Sequence, residues 1–160
     1  MNDVNEKLSG LKTILHKAQA YCAYQERCTQ EVVQKLRDWK VDENRIPKII
    51  EQLTAENFIN DVRFTETFVR SKFKLKKWGK NKVAYELRLK KIPDPIISQS
   101  LQAIDDQEYR ATLQHLKGQK SKETKEKDLF KKKQKIIRFL VSRGFEMELV
   151  MEIFKRNNER

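Results

Sequence analysis

Few side chains in this chain are spaced for bond-making chemistry. Cys22 and Cys28 lie six apart, which is not zinc-finger spacing, and His16 lies six before Cys22. Cys22 reads as a small buried residue. His115 stands beside Leu116 with no Ser, Cys or second His near it in sequence, so it reads as a satisfied or exposed histidine rather than a general base. Trp78-Gly79-Lys80-Asn81 has one glycine and lacks the Gly-Lys-Ser/Thr half of a phosphate loop. The pairs Asp42-Glu43 and Asp105-Asp106 fall at expected helix starts, where capping and the helix dipole account for them. No catalytic, metal or cofactor-binding residue is expected, and no enzyme.

What remains is charge, and the chemistry it suits is the binding of a polyanion. The 160 residues hold 35 Lys+Arg against 23 Asp+Glu, a net +12. Residues 62–91 carry 11 basic and 2 acidic side chains, and residues 131–143 carry 6 and none, so these two blocks hold more than the whole excess. At 100° per residue, Arg63, Arg70, Lys74 and Lys77 form one stripe along a helix over 62–77, with Lys80 and Lys82 following in the same block. Phe64, Phe68 and Leu75 fall on one apolar arc, and Val62, Val69 and Phe73 on another. Over 128–143, Lys131, Lys135 and Arg138 line the side opposite Leu129, Phe130, Ile136, Ile137, Leu140 and Val141. Like charges at this spacing repel by a few tenths of a kcal/mol per pair, so a partner that neutralises them is favoured. The stripes lack Asn or Gln, which suits phosphate contact better than base reading. The three phenylalanines Phe64, Phe68 and Phe73 read as core. Trp78, inside the basic block, either stacks on a base or closes a joint between helices.

The elements that position these residues are helices. Four glycines and three prolines leave little material for hairpin turns. Three apolar quartets share internal spacings of 5, 5 and 4: Leu36, Val41, Ile46, Ile50; Leu87, Ile92, Ile97, Leu101; and Leu140, Phe145, Val150, Phe154. Their offsets are 51 and 53 residues, the mark of an internal repeat. Each copy reads as helix, short turn, helix. Asp42 and Asp94 are expected N-caps, Pro95 a first helical residue, and Gly144 the left-handed residue that ends a helix. A further helix precedes each pair, at about His16–Gln25, Val62–Lys77 and Gln107–Gly118. The expected fold is all-α: three tandem three-helix, helix-turn-helix-like repeats at 16–57, 58–105 and 106–157, forming an elongated curved rod. Residues 1–15 form an N-terminal tail, weakly docked over 1–12, and residues 117–128 a loop or frayed turn. A module of about 50 residues is too small to hold much core alone, so neighbours must stack.

Several blocks resemble the RecX family of bacterial recombination regulators. They are Phe58-Ile59-Asn60-Asp61-Val62-Arg63-Phe64 with Phe68-Val69-Arg70; Trp78-Gly79 with Val83, Glu86-Leu87 and Lys91-Ile92; and Phe139-Leu140-Val141-Ser142-Arg143-Gly144-Phe145. The resemblance spans about 18–156. Departures lie in the first repeat: Cys28 takes a usual Ser position, with Thr29 as a substitute cap, and Trp39-Lys40 stands where a small residue and Gly are usual. The resemblance implies a protein that binds the RecA recombinase and its filament on single-stranded DNA. It would limit filament growth and so inhibit strand exchange and the linked ATPase. Single-stranded DNA would be a weak, phosphate-directed partner, and the chain a monomer. No signal-peptide pattern opens the sequence and no membrane span is present, so the cytoplasm is expected. Two other classes stay open: a helix-turn-helix-like transcriptional regulator that binds duplex DNA, and a scaffold whose charge is only surface.

Overall fold

The structure, a computed structural model, describes residues 2–156; residue 1 of the expected tail and residue 157 of the expected third repeat lie outside the described residues. Those residues form helices without a strand: α1 (Asn2–Tyr24), α2 (Thr29–Asp38), α3 (Ile46–Ala55), α4 (Asp61–Lys74), α5 (Lys80–Leu89), α6 (Asp94–Gln102), α7 (Asp106–Glu123), α8 (Leu129–Ser142) and α9 (Met147–Arg156). By contact they divide into two compact units. Unit 1 is residues 1–67 with 90–92, and unit 2 is residues 68–89 with 93–160.

The quartets set the core. Leu36, Val41, Ile46, Leu87, Ile92, Ile97, Leu140, Phe145 and Val150 are all buried, so the first three members of every quartet are core residues. The fourth members, Ile50, Leu101 and Phe154, are half-buried. Burial of each large aliphatic side chain is worth about 2 kcal/mol. In unit 1, Leu36, Val41, Ile46 and Leu53 pack with Ala18, Cys22 and Ile59. In unit 2, Leu140, Phe145 and Val150 pack with Phe73, Tyr109, Leu113 and Ile153.

The same offsets of 51 and 53 residues recur in the backbone. Lys40, Lys91 and Gly144, each following the second helix of its repeat, have φ of 61°, 58° and 100°. This is the left-handed helix ending expected of Gly144, but two copies place a lysine there at a cost of about 1 kcal/mol each. Behind Lys40, the Val41 N–H donates to the Leu36 carbonyl at 3.0 Å; behind Gly144, the Phe145 N–H donates to the Leu140 carbonyl at 3.2 Å.

Several expectations shift. The expected tail is helical from Asn2, and Ile14 and Leu15 pack against the unit 1 core. Its apolar residues Val4, Leu11, Ile14 and Leu15 recur at helical spacing, which carries α1 toward the N-terminus. The stretch 117–128 is helical to Glu123, leaving only 124–128 as a loop. Asp105 caps α7 by accepting from the Glu108 N–H at 2.9 Å. Asp42 does not cap α3, whose N-cap is Arg45, and Asp94 lies one residue inside α6, whose N-cap is Pro93. Helix α2 starts after Cys28, and the Thr29 hydroxyl is a donor rather than a cap. Thr29 N–H and Oγ1 donate to the two Asp61 carboxylate oxygens at 2.8 and 3.0 Å, so an acid from α4 closes the start of α2.

In unit 2 the start of α5 is closed in another way. Gly79 N–H donates to the Arg143 carbonyl at 2.8 Å, and Asn81 N–H to the Gly144 carbonyl at 2.9 Å. Between them, Lys80 N–H donates to the Tyr109 hydroxyl at 2.9 Å. The Tyr109 hydroxyl in turn donates to Glu146. Helix α5 has no acid in its first turn. The carbonyl end of α8 satisfies its N–H groups and opposes its dipole.

Candidate nucleic-acid interface

Arg63 is spent inside unit 1. Asn60 caps α4 by accepting from the Arg63 N–H at 2.9 Å. The guanidinium pairs with Glu26 at 2.5 Å and donates to the Asn57 carbonyl at 3.1 Å. With its side chain 35% exposed and its charge matched, Arg63 does not continue the stripe as a free cation.

The other eight positions of the expected site lie in unit 2. Arg70 and Lys74 are exposed on α4, and Lys77 is half-buried at φ 54° in the turn that follows. Lys80 Nζ sits 4.8 Å from the centre of the Tyr109 ring. Lys82 Nζ and Lys72 Nζ lie 4.4 and 4.9 Å from the Trp78 ring. Trp78 is thus half-buried against two ammonium groups, a joint rather than an open stacking face. None of these cations has an ion-pair partner among the described residues. The Arg143 guanidinium donates to the Lys76 carbonyl, so together with the Gly79 and Asn81 hydrogen bonds the ends of the two basic blocks are joined.

On α8, Lys131, Lys135 and Arg138 project to solvent. Asp128 caps the helix by accepting from the Lys131 N–H at 3.0 Å. Lys135 is partly matched by Glu126 at 3.2 Å. The Asp128 N–H and then Lys135 hold the Glu126 carboxyl below its usual range.

Leu129 and Phe130 are not core: they are 82% and 70% exposed. The buried residues of α8 begin only at Ile136, so its first turn runs past the core. Leu75, in the turn just past α4, is likewise 77% exposed. Phe130, Lys131, Gln134, Lys135 and Arg138 line one open groove. The α8 face therefore carries an aromatic ring and an amide as well as cations. Phe130 and Gln134 precede Arg138 at helical spacing of four, a signal legible in the sequence once Phe130 is taken off the apolar face.

Cys22 and Cys28 are free and buried, and burial pushes both thiols up from their ordinary value, which leaves them poor nucleophiles. His16 and His115 are exposed. Among the described residues no group of three or more His, Cys, Asp or Glu could hold a metal ion, and no helix is long and apolar enough to cross a membrane.

Comparisons with known proteins agree on one family. Residues 60–101 match the model described as RecX, second three-helix domain, and residues 106–154 that of RecX, third three-helix domain. The chain is 30% identical over 146 residues to the regulatory protein RecX of Prosthecochloris aestuarii, covering 90% of this chain and 93% of that one. It is 32% identical over 155 residues to that of Acinetobacter baylyi, covering 96% and 92%. Against the Clostridium beijerinckii regulatory protein RecX, 33% identical over 129 residues, it spans only 60% of the relative's length. Two crystal structures have the same fold. One is RecX from Lactobacillus salivarius, with a TM-score of 0.84, 24% identity and coverage of 96% and 99%. The other is a regulatory protein RecX, with a TM-score of 0.83, 19% identity and coverage of 97% and 78%.

Proposed function

The chain belongs to the RecX family of regulatory proteins, and from that membership we propose that it binds the RecA recombinase and its filament on single-stranded DNA and inhibits filament growth. Strand exchange and the linked ATPase then fall with the filament. The protein acts by binding in the cytoplasm, with no reaction of its own. The observation that carries this reading is the charge in unit 2. Arg70, Lys74, Lys77, Lys80, Lys82, Lys131 and Arg138 have no acidic partner among the described residues, and the glycine-lined joint ties their two blocks together. Such cations suit the phosphates of the filament's DNA, an acidic recombinase surface, or both. Bound across adjacent protomers, the chain blocks docking of the next subunit.

The test is the recombinase's single-stranded-DNA-dependent ATPase with the protein added at rising substoichiometric amounts. Loss of activity well below one protein per recombinase supports capping, because few molecules then silence many. No effect at excess ends the reading. Double charge reversal, Arg70→Glu with Lys74→Glu, must weaken the inhibition if the α4 stripe is a contact.

Gln134 on the α8 face keeps a second reading, that of a duplex-DNA regulator, because an amide at that place can read adenine in a major groove. Titration on random duplex against selected sites separates the two.

A further inference from the structure

We propose that the α8 face distinguishes unpaired from paired nucleic acid, with Phe130 as the stacking platform for an exposed base. This rests on reading α8 as a nucleic-acid surface, but not on inhibition of the recombinase. It departs from a contact made through phosphates alone, because cations cannot tell a single strand from a duplex by the identity of what they touch.

The geometry is simple. Phe130, Gln134 and Arg138 follow one another four residues apart on a capped helix, and Lys131 and Lys135 run beside them. Phe130 is 70% exposed and has no core to cover, since burial on α8 starts at Ile136. Each base has a π-face, and stacking on an aromatic side chain is tolerant of sequence. A base lying on Phe130 brings its flanking phosphates to Lys131, Lys135 and Arg138, and its edge to the Gln134 amide, which both donates and accepts. In a duplex that base is stacked on its neighbours and its π-face is not offered. Trp78, the other aromatic in basic surroundings, already lies against Lys72 and Lys82 and does not compete for this role. The charge of the groove repels a basic partner. An acidic protein segment would meet the same cations without needing the ring to stack.

The experiment uses the full chain, first without recombinase and then with recombinase filaments as a separate arm. Binding is titrated with three oligonucleotides of one length: a thymine single strand, an abasic single strand and a duplex. Phe130→Ala is expected to weaken the thymine strand by roughly five-fold or more and to leave the abasic strand and duplex unchanged. Phe130→Trp restores the affinity, and its added fluorescence is quenched by the thymine strand. Matching far-UV circular dichroism of the exposed-site variants excludes a folding effect. Equal loss on all three ligands, or no loss on the thymine strand, overturns the proposal. So does a Phe130→Ala defect confined to binding of recombinase filaments, which marks the face as a protein contact. If the parent chain binds no oligonucleotide, the nucleic-acid reading of α8 falls, while the ATPase assay still decides recombinase inhibition.

Discussion

Gly79 and Gly144 meet backbone to backbone. A Cβ on Gly79 would lie 2.3 Å from both the carbonyl carbon of Gly144 and the amide nitrogen of Phe145, and one on Gly144 would lie 2.4 Å from the Cβ of Lys82. Neither neighbour is the movable tip of a side chain. Gly79→Ala is therefore expected to lower stability by about 1–3 kcal/mol, the usual cost of overpacking. Gly144→Ala, at φ 100°, adds left-handed strain to the same clash. Urea unfolding of the two variants checks this.

Lys40 and Lys91 share the left-handed backbone of Gly144, at φ 61° and 58°. Lys40→Gly and Lys91→Gly should each raise stability by about 0.5–1 kcal/mol, because relief of left-handed strain exceeds the entropy glycine adds to the unfolded chain. Thermal melts read the gain. A fall in Tm for either would show that its lysine side chain contributes more than its backbone costs.

Tyr109 ties Lys80 N–H to Glu146, so Tyr109→Phe leaves both partners short and should cost about 1–3 kcal/mol at neutral pH. The alkaline limb behaves differently. Burial, then the Glu146 hydrogen bond, raises the Tyr109 phenol; burial raises Cys22 and Cys28. All three stay protonated in the fold at pH values where the unfolded chain, at ordinary values near 9.0 and 10.0, has begun to lose protons. Stability falls as pH climbs past those values. The Phe variant should show a shallower decline between about pH 9 and 11, measured by denaturant midpoints across that range.

Glu126 partly neutralises Lys135. Glu126→Gln keeps the shape, frees the ammonium and should strengthen polyanion binding about two-fold at low salt, with little change in folding because an ion pair open to solvent on its Lys135 side contributes at most about 1 kcal/mol. An unchanged affinity would show that Lys135 takes no part in binding.

Arg63 and Arg70 share α4 but not a role. Arg63→Ala should destabilise unit 1, because it strands Glu26, whose Oε2 is already buried without a partner. The salt dependence of DNA binding should not change. Arg70→Ala should leave folding intact and lower the log–log salt slope on single strands by about 0.7, the share of one phosphate. Salt titrations with unfolding curves for both variants separate the two.

The apolar quartets made the helices and the repeat legible, because spacings of 5, 5 and 4 have no other economical reading, and their first three members are buried in every copy. Phe130 and Leu75 sit on apolar arcs of the sequence yet face solvent for one reason. Periodicity fixes which side a residue faces, but not whether any core lies beneath it. Arg63 leaves the stripe for another: its partner Glu26 is 37 residues away, and no local pattern announces an ion pair at that range. The same holds for Asp61, which closes a helix that begins 32 residues before it.

The hydrogen bonds from Gly79 and Asn81 to the end of α8 bridge about 65 residues of chain. During synthesis the chain emerges from its N-terminus, so α5 is made long before the carbonyls that receive its first N–H groups. At that stage Gly79, Lys80 and Asn81 can bond only to water, and a chain interrupted after α6 would stay that way. Completion of the middle repeat is thus an event of the last one's arrival, and a nascent molecule cannot present its joined basic surface until translation has passed Phe145.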